Sequence, residues 1–229
     1  MSDPPLDTEV LIVGAGPAGA LLGCLLARRG VEVVAVGSEC GRGPARGGEP
    51  LAAPSVITLG KLGFGPALRA HGYLRTPAFG IRMEGRTVFR IEHRRLPLGA
   101  LPIEVARSAL VGGFTAAASD FPNHTRLPGT VLSSLIEQDG AVRGALVGRP
   151  DGGRTEIRAR LVVGADGRRS RVREAANLNA GVAAAGHGAL SFTLSFTLPR
   201  PADWGEAAEL VAVGAKYVLE VPTFPGLLR

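Results

Sequence analysis

Residues 8–19 restrict the fold more than any other stretch of the chain. Thr8-Glu9-Val10-Leu11-Ile12-Val13 is a short, mostly apolar run rich in β-branched residues, and it passes without a linker into Gly14-Ala15-Gly16-Pro17-Ala18-Gly19. A run of that kind is a strand buried on both faces in a parallel sheet. The G-x-G-x-x-G that follows lets the chain turn tightly at Gly14, lets a pyrophosphate approach the backbone at Gly16 and lets a helix pack closely at Gly19. It also aims the helix amino terminus at the phosphates. Residues 18–29 read as that helix, with Pro17 suited to its first turn and Gly30 just past its end, where a left-handed cap is wanted. Residues 31–36 are a second buried strand, which completes a βαβ unit. A glycine-rich turn with no ligand is the alternative. Strand, spacing and helix together favour a dinucleotide site at Gly14, Ala15, Gly16, Pro17, Ala18 and Gly19.

An acid belongs at the end of the second strand, about 20 residues beyond the glycines, to hold the ribose hydroxyls. Gly37 stands at the strand end. Glu39, two residues later, reaches the ribose if the loop bends back, and a solvated loop glutamate is an equal alternative. Residues 37–54 form a long loop rich in Gly, Pro and Arg, and long loops tend to be functional. A short helix is expected over 55–62, and strands over 79–83 and 87–91, joined near Glu84-Gly85-Arg86. Between 103 and 121, Ile103, Leu110, Phe114 and Phe121 recur near helical spacing, so this segment reads as a helix weakened by Gly112-Gly113. Strands at 131–137 and 141–147 flank Asp139-Gly140, a strong hairpin signal, and 154–159 continues the meander. Leu161-Val162-Val163 reads as a separate buried strand that returns to the parallel sheet. Residues 191–198 alternate Ser/Thr with Phe/Leu, as a half-buried antiparallel strand does, and 217–221 reads as another.

The fold class expected is α/β: a Rossmann-like dinucleotide-binding domain with a β-meander, plus a partial second β-sheet domain. The first is built from 6–76 and 100–180, the second from 77–99 and 181–229.

Composition excludes several functions. With 229 residues and 45% hydrophobic content the chain can bury a substantial core. Its net charge of +6 comes from arginines scattered along the chain without interleaved aromatics, so no nucleic-acid partner is expected. Two cysteines, Cys24 and Cys40, build neither a disulfide scaffold nor a thiolate metal site. His71, His93, His124 and His187 lack metal-ligand spacing. The start Met1-Ser2-Asp3-Pro4-Pro5 lacks a secretory pattern, and no apolar stretch approaches the roughly 20 residues of a membrane span. A cytoplasmic protein is expected.

Asp166-Gly167 follows the Leu161–Val163 run, which places a carboxylate at the carboxyl end of the sheet, where ligands of such folds bind. An isolated Asp-Gly is merely a turn. The wider string Gly164-Ala165-Asp166-Gly167-Arg168-Arg169-Ser170-Arg171-Val172-Arg173 contains D-G-x-x-S-x-x-R. Together with the N-terminal glycines it resembles the para-hydroxybenzoate hydroxylase-like family of FAD-dependent aromatic monooxygenases, over about residues 6–177. The resemblance implies FAD as cofactor and NADH or NADPH as co-substrate. It also implies a cofactor role for Asp166 and Gly167. Ser170 reads as the cap of the following helix, and Arg168, Arg169 and Arg171 as a solvated basic face. Arg107 matches the place of a flavin-facing Arg or Gln in that family, the alternative being an exposed helix arginine. Arg46 stands near a second such position. Gly47-Gly48-Glu49-Pro50 is closer to the geranylgeranyl reductase and halogenase branches, which keeps a reductase or halogenase open.

In the activity implied, NAD(P)H reduces the flavin, which then activates dioxygen to hydroxylate an aromatic or polyketide-like small molecule. No separate acid, base or nucleophile is required, and none stands out. The family has a third motif, a Gly-Asp pair opening a helix under the flavin, and no Gly-Asp occurs here. A fragment or a shortened, non-catalytic remnant is therefore a further expectation. The edge left by an incomplete second sheet makes self-association another.

Overall fold

The computed structural model describes residues 4–38, 48–178, 208–213 and 216–220. It is a mixed α/β fold of the expected class. The chain divides into two compact units, Met1–Arg42 with Val111–Leu190, and Gly43–Leu110 with Ser191–Arg229.

The first unit holds β1 (Leu6–Val13), α1 (Pro17–Ala27), β2 (Val33–Gly37), β8 (His124–Pro128), β9 (Val131–Gln138), β10 (Ala141–Gly148), β11 (Arg154–Gly164) and α5 (Arg171–Ala175). They form a six-stranded sheet in the order β8-β2-β1-β11-β10-β9. The strands β8, β2, β1 and β11 run parallel, while β9 and β10 are antiparallel additions. Alternate residues of β1 serve opposite faces, as strand geometry requires. Val10 and Ile12 pack with Val33 against Leu22 and Leu26 of α1. Leu11 and Val13 join Val34, Val36, Leu132, Ala145, Val147, Ile157 and Val172, so the meander curls back over the other face. Both faces of β1 are thus covered, which is why its sequence reads as a continuous apolar run. The Asp139-Gly140 hairpin turns with both residues at positive φ, 53° and 71°.

Residues 154–164 form one eleven-residue strand, where two separate strands were expected. Residues 154–158 pair with β10 and residues 157–164 with β1, and the two ladders overlap at Ile157 and Arg158, so no break is needed. Leu161, expected to be buried, is 55% exposed.

The second unit contains β3 (Gly48–Leu51), α2 (Ala53–Lys61), α3 (Gly65–His71), β4 (Leu74–Arg75), β5 (Ala78–Met83), β6 (Arg86–Glu92), β7 (Ile103–Ala106), β12 (Ala208–Val213) and β13 (Lys216–Glu220). One sheet has the order β13-β12-β5-β6, with β12 and β5 parallel. A smaller antiparallel sheet has the order β3-β7-β4. Here the expected helix over 103–121 is corrected. Residues 103–106 are strand β7, and α4 begins at Arg107 and ends at Ala118. Ile103 and Val105 carry a strand alternation too short to stand out, and pairing with β3 and β4 on both sides overrides helical spacing. Within α4, Leu110, Val111, Phe114 and Ala118 are buried. The expected strand over 191–198 lies outside the described residues.

Candidate functional site

The turn after β1 is built almost entirely of backbone contacts. The amide of Gly14 donates to the carbonyl of Val36 at 2.8 Å, and the amide of Ala165 donates to the carbonyl of Val13 at 2.7 Å. Gly14 has φ +132°, and a Cβ there would lie 2.2 Å from the Ala165 carbonyl oxygen and 2.7 Å from the Asp166 nitrogen. Two motifs far apart in sequence therefore meet backbone to backbone. A Cβ on Gly19 would lie 1.9 Å from the Gly14 carbonyl oxygen, so the first turn of α1 rests directly on the strand end.

Gly37 explains the missing acid. A Cβ at this position would stand 2.6 Å from the Ala15 amide nitrogen, because the end of β2 abuts the glycine turn. Any side chain at the strand end would collide with that turn. Glu39 and Arg46, the two loop candidates, lie outside the described residues.

Gly16 is different from its neighbours. It is the N-cap of α1 at φ −76°, ψ −178°, extended backbone that any residue adopts. No side chain caps this helix, its first turn holds no acid, and Pro17 occupies its start while Ala18 follows. The positive end of the helix is thus left for an external acceptor.

Asp166 and Gly167 lie in the turn after β11. One oxygen of Asp166, Oδ2, accepts from the amides of Arg171 at 2.7 Å and Val172 at 3.3 Å, which ties the turn to the start of α5. The other, Oδ1, is buried and has no hydrogen-bond partner. Ser170 caps α5 as expected, accepting from the amide of Arg173 at 3.0 Å. Arg168, Arg169 and Arg171 are exposed, as expected of a solvated basic face; Arg171 also donates to the Leu132 carbonyl and Arg173 to the Arg168 carbonyl. Gly167 has φ +88° with open space around it.

An ionised carboxylate only accepts, so a buried and unpartnered Oδ1 calls for a hydroxyl or amide donor. The bare start of α1 calls for an anion. Both demands fit the pyrophosphate and the ribityl or ribose hydroxyls of FAD.

In the second unit, Arg107 opens α4 and its Nη1 donates to Glu49 Oε1 at 3.1 Å, the two side chains being 53% and 38% exposed. Such a half-exposed pair contributes little to stability. Glu104 on β7 is 5% exposed and was not singled out by the sequence. Burial, and next the charge of Glu49, push its carboxyl up to about 7. A helix over 103–121 offers no reason to notice it; the strand alternation of Ile103 and Val105 was the available signal.

The sequence profile described as FAD binding domain matches residues 7–214. The chain belongs to that family. The group inferred from the glycine and Asp-Gly motifs, the para-hydroxybenzoate hydroxylase-like flavoproteins, is thereby the right one, and FAD is its cofactor. Among its relatives, 6-methylpretetramide 4-monooxygenase of Streptomyces rimosus is 35% identical over 183 residues, covering 76% of this chain and 43% of that protein. Aklavinone-11 hydroxylase, solved with FAD and aklavinone, superposes with a TM-score of 0.61 at 28% identity, over 76% of this chain and 35% of that one. PqsL of P. aeruginosa, solved with 2-aminobenzoylacetate, gives 0.67 at 22% identity, over 79% and 48%, and attests the fold. The chain spans less than half the length of each of these three proteins.

Among the described residues no helix is long and apolar enough to cross a membrane.

Proposed function

We propose that this FAD-binding chain serves an NADH- or NADPH-dependent monooxygenase that hydroxylates an aromatic or polyketide-like small molecule. The observation that carries the reading is the backbone contact between the Gly14 turn and the Asp166 segment, with Asp166 Oδ1 buried and unpartnered. A 4-monooxygenase as a relative at 35% identity supports the hydroxylation. A reductase or halogenase is not favoured.

The turn from Gly14 to Gly19 and the start of α1 would hold the pyrophosphate, and Asp166 Oδ1 would take a ribityl or ribose hydroxyl. Gly167 leaves the backbone open beside it. Glu39, Arg46 and Arg107 are proposed as further cofactor contacts on the resemblance alone. When bound, FAD supplies reduction by the nicotinamide and activation of dioxygen. The chain's own part is to bind, to orient and to keep water away. Residues 6–76 and 100–180 are proposed as the part that serves the cofactor, and 77–99 with 181–229 as part of a substrate-binding wall. A cytoplasmic location belongs to the same reading.

Asp166→Ala and Arg168→Ala test it together. Removing the Asp166 carboxylate is expected to weaken FAD binding about tenfold to a hundredfold, since a hydrogen bond to a charged group is worth roughly 1.5–3 kcal/mol. Arg168→Ala should stay within about twofold. The readouts are FAD titration by flavin fluorescence and, beside it, melting of the cofactor-free protein, which registers the separate loss of the Asp166 bonds to the Arg171 and Val172 amides. Equal and negligible effects on FAD in both variants would reduce the Asp166 segment to a structural turn.

A further inference from the structure

Strand β7 is the middle strand of the β3-β7-β4 sheet. In an antiparallel ladder, residues opposite one another share a face. The register therefore sorts the charges. Glu49 of β3 stands opposite Val105, and Arg75 of β4 opposite Ile103, so both belong to the Ile103 and Val105 face. Glu104 stands opposite Pro50 on one side and Leu74 on the other. Its own face of the sheet is apolar at every paired position, and the charged residues of both neighbouring strands, together with the Arg107–Glu49 pair, lie on the other face. Among the described residues Glu104 has no hydrogen-bond or ion-pair partner, although it is more than nine-tenths buried.

A carboxyl so placed is held more easily neutral than ionised, because a charge without a countercharge costs more on an apolar face than an uncharged acid does. Glu49, the charged residue next to it on β3, opposes its ionisation, and no cation stands at the positions of β3 and β4 paired with Glu104. We propose that Glu104 is a proton-operated latch of the second unit: when neutral it lets the β3-β7-β4 sheet close and hold Arg107 against Glu49, and when ionised it opens that sheet at β4. The opening falls at β4 because this strand has two residues and two paired positions, the shortest ladder in the sheet. Its release brings the Glu104 carboxylate to water. β7 then loses one flank, and α4, which follows it directly, begins with Arg107. The upward displacement of the Glu104 carboxyl puts the transition near neutral pH.

The experiment is amide hydrogen exchange on the whole chain without FAD, at about pH 5.5 and about pH 8.5, corrected for intrinsic exchange rates. At the higher pH, peptides covering β4 and β7 are expected to lose roughly tenfold or more of their protection, with β1 and β11 unchanged. Glu104→Gln should keep the sheet protected at both values. Glu49→Gln should move the transition to lower pH, since the opposing charge is gone. Protection of β4 and β7 that does not change with pH in the natural sequence overturns the proposal, as does a pH dependence that survives Glu104→Gln. Should Glu104→Gln fail to fold, carboxyl-carbon NMR of the natural chain labelled at glutamate decides: one glutamate titrating near neutral pH supports the latch, and all of them titrating in the ordinary carboxylate range overturns it.

Discussion

Gly14→Ala is expected to destroy the first unit, while Gly16→Ser is expected to leave it intact and lose the cofactor. At Gly14 two costs add. The backbone sits at φ +132°, where an L side chain is strained, and the new methyl would lie 2.2 Å from the carbonyl oxygen of Ala165, whose amide is bonded to Val13 just beyond the β1–β11 ladder. Strain of about 1–3 kcal/mol together with a backbone clash amounts to roughly 4 kcal/mol or more, a large part of the 5–15 kcal/mol that holds a domain together. At Gly16 neither cost applies, because φ −76° is open to any residue. Serine is a better N-cap than glycine, so the apo protein should melt at the same temperature or slightly higher, by up to about 1 kcal/mol in stability. Its hydroxyl would nonetheless take the helix amides that the pyrophosphate needs, and FAD affinity should fall at least about tenfold, or roughly 1.4 kcal/mol. Thermal melts without FAD and titrations with it separate the two effects. Unchanged FAD affinity in Gly16→Ser would show that this turn does not hold the pyrophosphate; a normal melt for Gly14→Ala would show that the close contact with Ala165 is not present in solution.

The second large effect belongs to Glu104→Gln and depends on pH. Burial first, and Glu49 second, raise the Glu104 carboxyl from 4.5 to about 7. The folded chain therefore keeps a proton that the unfolded chain has released. Stability is fully present below about pH 4.5, falls as pH rises, and levels off once the folded group has ionised above about 7. With 1.36 kcal/mol for each unit, the loss across that window is about 3 kcal/mol. Glutamine is neutral at every pH and close in shape, so Glu104→Gln should match the natural chain near pH 4.5 and exceed it by about 3 kcal/mol above pH 8. That corresponds to a rise in melting temperature of roughly 5–10 °C at the high end. A constant difference between the two proteins from acid to alkaline pH would mean that Glu104 does not titrate in the window assigned to it.

What could be read from the sequence follows the range of the interactions. The strand, glycine turn and helix from Thr8 to Gly30 are specified by neighbours in the chain, and so is the Asp139-Gly140 hairpin; both are where they were expected. Ser170 as a cap is local in the same sense. The segment Ile103–Ala106 was misjudged because its strand character comes from β3 and β4, which arrive from elsewhere. A four-residue apolar run contains too little periodicity to oppose the helix behind it. Leu161 was taken as buried because it is apolar and lies in a strand, yet nothing local reports which face is covered at that point. Gly37 marks the limit most clearly. Its lack of an acid read as a gap in the ribose site, whereas the structure gives it a cause, the Ala15 amide that a side chain would strike. Glu104 was passed over for the same reason as its strand.

The seam between Val13, Gly14 and Ala165 also has a meaning in time. β1 is made well before its parallel neighbour β11, which lies at residues 154–164, and the carbonyl of Val13 waits for the amide of Ala165. Synthesis at about 5–20 residues per second separates the two by roughly 10–30 s. During that interval the β2 side of β1 can assemble, but its other edge stays open, with Leu11 and Val13 lacking Ile157 and Ala159. Chains stalled at increasing lengths and probed by brief proteolysis should stay cleavable near the glycine turn until β11 has left the ribosome. The feature most easily recognised in the sequence is then completed late, and the nascent chain must be shielded along the open edge of β1 until β11 arrives.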